Sequence, residues 1–90
     1  MKTILLDGNM LTDRMTAHKY LKDMLEFPQY YGENLDALYD CVAELDHMEI
    51  EILKPERATV FYHKILSIFR RAQKETGIKI TEIENFEYNE

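Results

Sequence analysis

Three carboxylates recur at intervals of four residues in the middle of the chain: Asp36, Asp40 and Glu44. Side chains four positions apart share one side of an α-helix, so this spacing predicts a row of negative charges along a helix. Such a row can accept hydrogen bonds from lysine and arginine side chains, as a phosphate does. Asp36 and Asp40 could in principle form an acid and base pair, but nothing in the sequence predicts the desolvation that such chemistry needs.

The segment around these carboxylates contains no counter-charges. From 23 to 53 the chain has no Lys or Arg, although nine of its 17 acidic residues lie there. Like charges four residues apart destabilise a helix by about 0.2 to 0.5 kcal/mol per pair, so a solvated helix face ordinarily intersperses basic residues. Two interpretations stay open at this point. The row is either the solvated face of an acidic protein or a surface that binds a basic protein.

The residues just before the row favour a binding surface. Tyr30 and Tyr31 are adjacent and precede Gly32, which predicts an aromatic pair on a tight turn. Exposed aromatic residues beside charges are typical of an anchored protein interface. We therefore expect both tyrosines to be exposed next to the acidic row.

The helix that carries the row has a predictable start and a predictable core side. Asn34 is a favourable N-cap residue, so the helix is expected to begin there. Its apolar residues recur at helical spacing on the side opposite the carboxylates, and Tyr39 and Ala43 fall beside the acidic row. The apolar residues of this helix are Leu35, Leu38, Val42 and Leu45.

Apolar patterns on both sides predict three strands and two more helices. The expected strands are residues 2–6, 47–53 and 78–83. The first helix is expected from Thr12 or Asp13 to Leu25, with Thr12 as its cap and Pro28 preventing its continuation. The last helix is expected from 59 to 76, with Gly77 closing it. Its expected core stripe is Phe61, Ile65, Ile68, Phe69 and Ala72, and Arg71 is expected to pair with Glu75 on its outer side.

Connections of more than a dozen residues between successive strands require parallel pairing. The chain of 90 residues is therefore expected to be a single α/β domain over 1–90, with a three-stranded parallel sheet. Alternating polar residues in the second and third strands predict helices mainly on one face. The polar end, residues 85–90, is expected to fray.

Composition excludes several classes of partner. A net charge of −6 argues against nucleic acid and anionic membranes, since both are polyanions. Metal sites and cofactors are not expected, because His18, His47 and His63 show no metal-ligand spacing and the three glycines form no phosphate-binding loop. His18 is interpreted as a packing residue, and Cys41 as a small helix residue. No apolar run predicts a signal peptide or membrane span, so a cytoplasmic monomer without catalytic residues is expected.

The central stretch PQYYGENLDALYDCV resembles the signature of the barstar family, small cytoplasmic inhibitors of barnase-like ribonucleases. A block of the form PxYYGxNLDALxDxL lies at the same place along those chains. Weaker similarity extends to Asp7-Gly8, to His18 and to Phe69-Arg70. The resemblance implies a parallel three-stranded sheet covered by helices, and an inhibitory surface on the loop and helix of the block.

By this resemblance Asp40 would enter the nuclease's phosphate site, Asp36 would meet basic residues beside it, and Tyr30 would cover the catalytic histidine. Gly32 and Asn34 would shape the contact. The remaining expected contact residues are Tyr31, Tyr39, Ala43, Glu44 and Glu75. The best-known member of the family has Glu where Arg71 stands, so an adaptor domain that binds another basic protein stays as the alternative function.

Overall fold

The computed structural model describes residues 2–84 of the chain. In order, the elements are β1 (Lys2–Asp7), a 3₁₀ turn (Gly8–Leu11), α1 (Arg14–Met24), α2 (Leu35–Ala43), β2 (Met48–Leu53), α3 (Val60–Glu75) and β3 (Lys79–Ile83). The predicted order of strands and helices is confirmed. The expected fraying of residues 85–90 lies outside the described residues.

The three strands form one parallel sheet with β2 in the centre, in the order β1-β2-β3. Its register places Ile4, Ile50 and Ile80 side by side across the sheet. Both crossovers carry helices, as parallel connections of this length require. The predicted α/β class and parallel pairing are therefore confirmed.

The helices cover mainly one face of the sheet. Along β2, Ile50 and Ile52 are fully buried, whereas Glu49 and Glu51 on the other face are only half-buried. Lys79 pairs with Glu49 at 3.8 Å on that less covered face, where Leu5 is also exposed. The buried face meets Leu21 of α1, Leu38 and Val42 of α2, and Ile65 and Phe69 of α3 in one apolar core. Packing of α2 directly against α3 fixes where the exposed side of α2 lies.

Two details of the helices differ from the predictions. Asp13, not Thr12, caps α1, because its carboxylate accepts a hydrogen bond from the Thr16 N–H at 3.0 Å. This bond lowers the pKa of Asp13. Thr12 is instead tied to α3, since its carbonyl accepts the hydroxyl of the α3 N-cap Thr59 at 2.8 Å.

The core stripe of α3 is rotated from the predicted one. Tyr62 is buried beside Ile65, Phe69 and Ala72, whereas Phe61 and Ile68 are half-buried at the margin. A tyrosine is tolerated there because its hydroxyl donates to Glu82 of β3 at 3.0 Å. Gly77 follows the C-cap Thr76 as expected, without adopting a positive φ.

Candidate protein-binding surface

The start of α2 is built by its own loop. Asn34 caps the helix, since its side-chain oxygen accepts the Ala37 N–H at 2.8 Å and its amide donates to the Gly32 carbonyl at 3.3 Å. A Cβ on Gly32 would lie 3.2 Å from that amide nitrogen, so Gly32 makes room for the cap. The residue of this loop with left-handed backbone is Glu33, with φ 53°, and Gly32 has no positive φ. Asn34 and Gly32 therefore set the direction in which α2 leaves the loop.

α2 has two opposite faces, as predicted. Leu38 and Val42 are fully buried, and Leu35 and Leu45 pack against the same core. Asp36, Asp40 and Glu44 are exposed, and none of them makes a side-chain hydrogen bond or ion pair within the part of the chain that the structure describes. Residues four apart on a helix are separated by about 6 Å along its axis. We call these three carboxylates the acidic row.

The unpaired state of the acidic row is its main electrostatic property. Exposed carboxylates in proteins commonly meet a Lys or Arg on the same helix, but here each i, i+4 neighbour is another acid. A partner that brings cations would remove this repulsion and gain charge-assisted hydrogen bonds at the same time. The row is thus suited to binding a concentrated positive charge.

The two tyrosines before α2 have different environments. Tyr30 is 87% exposed, at the tip of a turn that the Tyr31 N–H closes by donating to the Pro28 carbonyl at 3.0 Å. Tyr31 is buried, and its ring packs on Phe27 at 4.9 Å between centroids. The expectation that both tyrosines are exposed is wrong for Tyr31. One aromatic side chain projects to solvent and its neighbour anchors the turn in the core.

The anchor of Tyr31 is a buried hydrogen bond to α1. Its hydroxyl oxygen lies 2.6 Å from Nδ1 of His18, which is 1% exposed. Burial lowers the pKa of His18 and raises the pKa of Tyr31, so the neutral ring and the protonated hydroxyl are the stable forms. The interpretation of His18 as a packing residue is confirmed. His18 links α1 to the loop that presents Tyr30.

Tyr39 joins the acidic row to α3. Its hydroxyl donates a hydrogen bond to the Glu75 carboxylate, and the guanidinium of Arg71 lies over its ring at 4.3 Å from the centroid. The bond to Glu75 raises the pKa of Tyr39. The expected direct ion pair between Arg71 and Glu75 is wrong, because Arg71 instead lies over the ring of Tyr39 and Glu75 accepts the Tyr39 hydroxyl. Glu75 is exposed but already accepts one hydrogen bond.

The remaining predicted residues lie at the edge of the same side. Ala43 is half-buried beside Tyr39 and presents no charge. Cys41 is partly buried, and burial raises the pKa of its thiol, in agreement with its interpretation as a small helix residue. Within residues 2–84 no group of three His, Cys, Asp or Glu side chains is placed to hold a metal. No helix in this range is long and apolar enough to cross a membrane.

Sequence reasoning missed a cleft at the start of α2. A space of about 410 Å³ lies there, and its lining includes Asp36 together with two cations from other helices, Arg14 of α1 and Lys64 of α3. The segment from 23 to 53, which has no Lys or Arg, did not indicate these cations, because Arg14 and Lys64 lie outside it in the sequence. The acidic row therefore has basic side chains near its first carboxylate.

The α/β scaffold thus presents three exposed, unpaired carboxylates on α2 and an exposed Tyr30 on the loop before it. A family model described as "Barstar (barnase inhibitor)" matches residues 1–84, and the chain belongs to this family. A relative from Bacillus subtilis (strain 168), named "Putative ribonuclease inhibitor YrdF", is 50% identical over 42 residues, 47% of this chain. That match spans 46% of the relative's length. The resemblance found in the sequence is confirmed.

Proposed function

We propose that this chain inhibits a basic ribonuclease of the barnase type by covering the nuclease's active site with its acidic row. The observation that carries the proposal is that Asp36, Asp40 and Glu44 are exposed and unpaired on one side of α2, and that the loop leading into α2 carries an 87% exposed Tyr30. An active site that cleaves RNA must hold phosphates, and the cations that do so also bind carboxylates. Membership of the barstar family supports the same partner class.

Each element of the surface has a role in this proposal. Asp40, in the middle of the row, enters the phosphate site, and Asp36 and Glu44 meet cations on either side. Tyr30 packs on the nuclease as a rigid aromatic anchor, held in place by the buried Tyr31. Asn34 and Gly32 fix the loop, so little conformational entropy is lost when the partner binds. Tyr31 contributes to binding indirectly, because it is buried in the core and anchors the turn that carries Tyr30.

The biological setting follows from the same proposal. An inhibitor of a secreted ribonuclease protects the cell that makes the nuclease, which places this chain in the cytoplasm as a monomer that captures the enzyme before export. The chain acts by occupying a site and carries out no reaction of its own. The alternative, an adaptor for a different basic protein, uses the same acidic row but leaves ribonuclease activity unchanged.

The test is the affinity of purified barnase-type ribonucleases, barnase included, for the wild-type chain and for Asp40→Ala. Hydrogen bonds to charged groups contribute about 1.5 to 3 kcal/mol, so Asp40→Ala is expected to weaken binding by about 10- to 150-fold. Asp23→Ala on α1 is the matched control, because it removes the same charge from an exposed position outside the acidic row. Equal affinities of Asp40→Ala and Asp23→Ala would show that the acidic row is not the binding site.

A further inference from the structure

The outer side of α3 is basic, although the protein as a whole carries a net charge of −6. Lys64, Arg71 and Lys74 are exposed there, and within residues 2–84 none of the three forms an ion pair with a carboxylate. Arg70 differs, because it is held by Glu82 at 3.6 Å and by the Ile80 carbonyl at 3.2 Å. The unpaired cations are therefore available to a partner.

Two of these cations lie at one border of a shallow groove. The groove has a volume of about 330 Å³, and it is lined by His63, Leu66, Ser67, Arg70, Arg71 and Lys74. The apolar Leu66 and the hydroxyl of Ser67 in the same lining offer contacts to a short polar segment as well as to a charge. We call Arg71 and Lys74 the basic pair.

Arg71 of the basic pair is held beside α2, and Lys74 lies one turn of α3 further on. α2 packs on α3, and Arg71 lies over the Tyr39 ring, which is one residue before Asp40. Stacking on an aromatic ring restrains a guanidinium that would otherwise sample many rotamers. The α2 side of Tyr39 therefore carries carboxylates, whereas the α3 side carries Arg71 and Lys74 together with one carboxylate, Glu75.

We propose that the ribonuclease bound by the acidic row carries acidic side chains beside its basic active site, and that these contact the basic pair. This inference rests on the proposed function and specifies which ribonucleases fit. A nuclease that is basic on both sides of its active site would meet Arg71 and Lys74 with like charge and be rejected. A nuclease with an acidic rim gains attraction on both sides of Tyr39. Single-stranded RNA is disfavoured as the occupant, because a chain of phosphates that extends beyond Arg71 and Lys74 meets, within residues 2–84, no further cation toward Glu75 and the acidic row, whereas separate acidic side chains need to contact only the basic pair.

The experiment uses a purified barnase-type ribonuclease that the wild-type chain inhibits and whose binding Asp40→Ala weakens. The dissociation constant of the complex with this ribonuclease is measured for the single variant Lys74→Glu and for the double variant that carries Arg71→Glu and Lys74→Glu. Reversing a charge replaces attraction by repulsion, so the single variant is expected to bind about 3- to 10-fold more weakly and the double variant about 10- to 100-fold more weakly. The single variant leaves Tyr39 and its contacts unchanged, and thermal unfolding verifies that both variants fold.

Lys19→Glu is the matched control. Lys19 is exposed on α1 and its reversal changes the net charge by the same amount as Lys74→Glu, so it reports the long-range effect of charge alone. Lys74→Glu must lose clearly more affinity than Lys19→Glu. If the two bind equally, or if Lys74→Glu binds more tightly, the partner is not acidic at this border and the inference is wrong.

The outcomes separate the inference from the proposed function. Loss of binding in Asp40→Ala with no effect of Lys74→Glu overturns the inference and leaves the proposed function standing. Absence of any ribonuclease that binds the wild-type chain overturns both. Binding of a single-stranded RNA oligonucleotide by the wild type, and its loss in the double variant, would assign the basic pair to nucleic acid instead.

Discussion

Replacing Leu38 and Asp40 by Ala in separate variants separates the two faces of α2, because these residues are two positions apart in sequence but point to opposite sides. Leu38 is fully buried, and removing a buried leucine side chain costs about 2 to 5 kcal/mol of unfolding free energy. Asp40 is exposed between two acids, Asp36 and Glu44. Its removal relieves two repulsions of about 0.2 to 0.5 kcal/mol each, so stability is expected to stay the same or rise by up to about 1 kcal/mol.

Thermal and urea unfolding, followed by circular dichroism, measure both changes. In a domain of this size 1 kcal/mol corresponds to about 4 to 8 °C, so Leu38→Ala is expected to lower the unfolding midpoint by about 8 to 40 °C. Asp40→Ala is expected to leave the midpoint unchanged or slightly raised. The expected effect on ribonuclease binding is opposite: Asp40→Ala should weaken it, whereas the folded fraction of Leu38→Ala should retain it. If Asp40→Ala destabilised the domain by more than about 1 kcal/mol, the acidic row would be structural and the assignment of the two faces would be refuted.

Four other expectations follow from the contacts described above. Raising the ionic strength should lower the rate of association with the ribonuclease, because charges are screened over about 10 Å at 0.1 M salt. An association rate that does not depend on salt would contradict electrostatic binding. Tyr31→Phe should lower the free energy of unfolding by about 1 to 3 kcal/mol, because it leaves His18 Nδ1 without its hydrogen bond. Tyr30→Phe should leave the free energy of unfolding almost unchanged. Equal effects of the two substitutions in urea unfolding would contradict the anchoring role of Tyr31. Because burial lowers the pKa of His18 in the folded state, the unfolded chain takes up the proton first as the pH falls below about 6.5. The unfolding free energy should therefore drop from pH 7 to 5.5, and less so in His18→Gln. Against barnase itself, Arg71 is expected to face a like charge, because the best-known family member has Glu there. Arg71→Glu should therefore inhibit barnase more strongly than the wild type, whereas a nuclease with an acidic rim should show the opposite effect. Inhibition constants against barnase that do not improve would show that α3 makes no contact with barnase.

Local sequence patterns were sufficient to predict the elements and the two faces of α2. The cap at Asn34, the four-residue spacing of the carboxylates and the alternation in β2 are all signals within a few residues. They act through backbone geometry, which fixes which side chains share a face. For this reason the acidic row was predicted in the place where the structure has it.

Contacts between distant residues could not be predicted in the same way. Tyr31 is buried because His18, 13 residues earlier, offers its hydroxyl a partner. Tyr39 meets Glu75, 36 residues later, and Arg71, so the pairing expected within α3 does not form. Helical spacing places Arg71 and Glu75 on one side of α3. It contains no information about Tyr39 of α2, which contacts both residues.

The most direct test of the central claim is the effect of the chain on cleavage of a dinucleotide by a barnase-type ribonuclease that it binds. A dinucleotide occupies only the active site, so a protein that covers the site must compete with it. We expect competitive inhibition, with the apparent KM rising with inhibitor concentration at constant kcat, and loss of that inhibition in Asp40→Ala. A complex that still cleaves the dinucleotide at the uninhibited rate would contradict active-site blockage and favour an adaptor role.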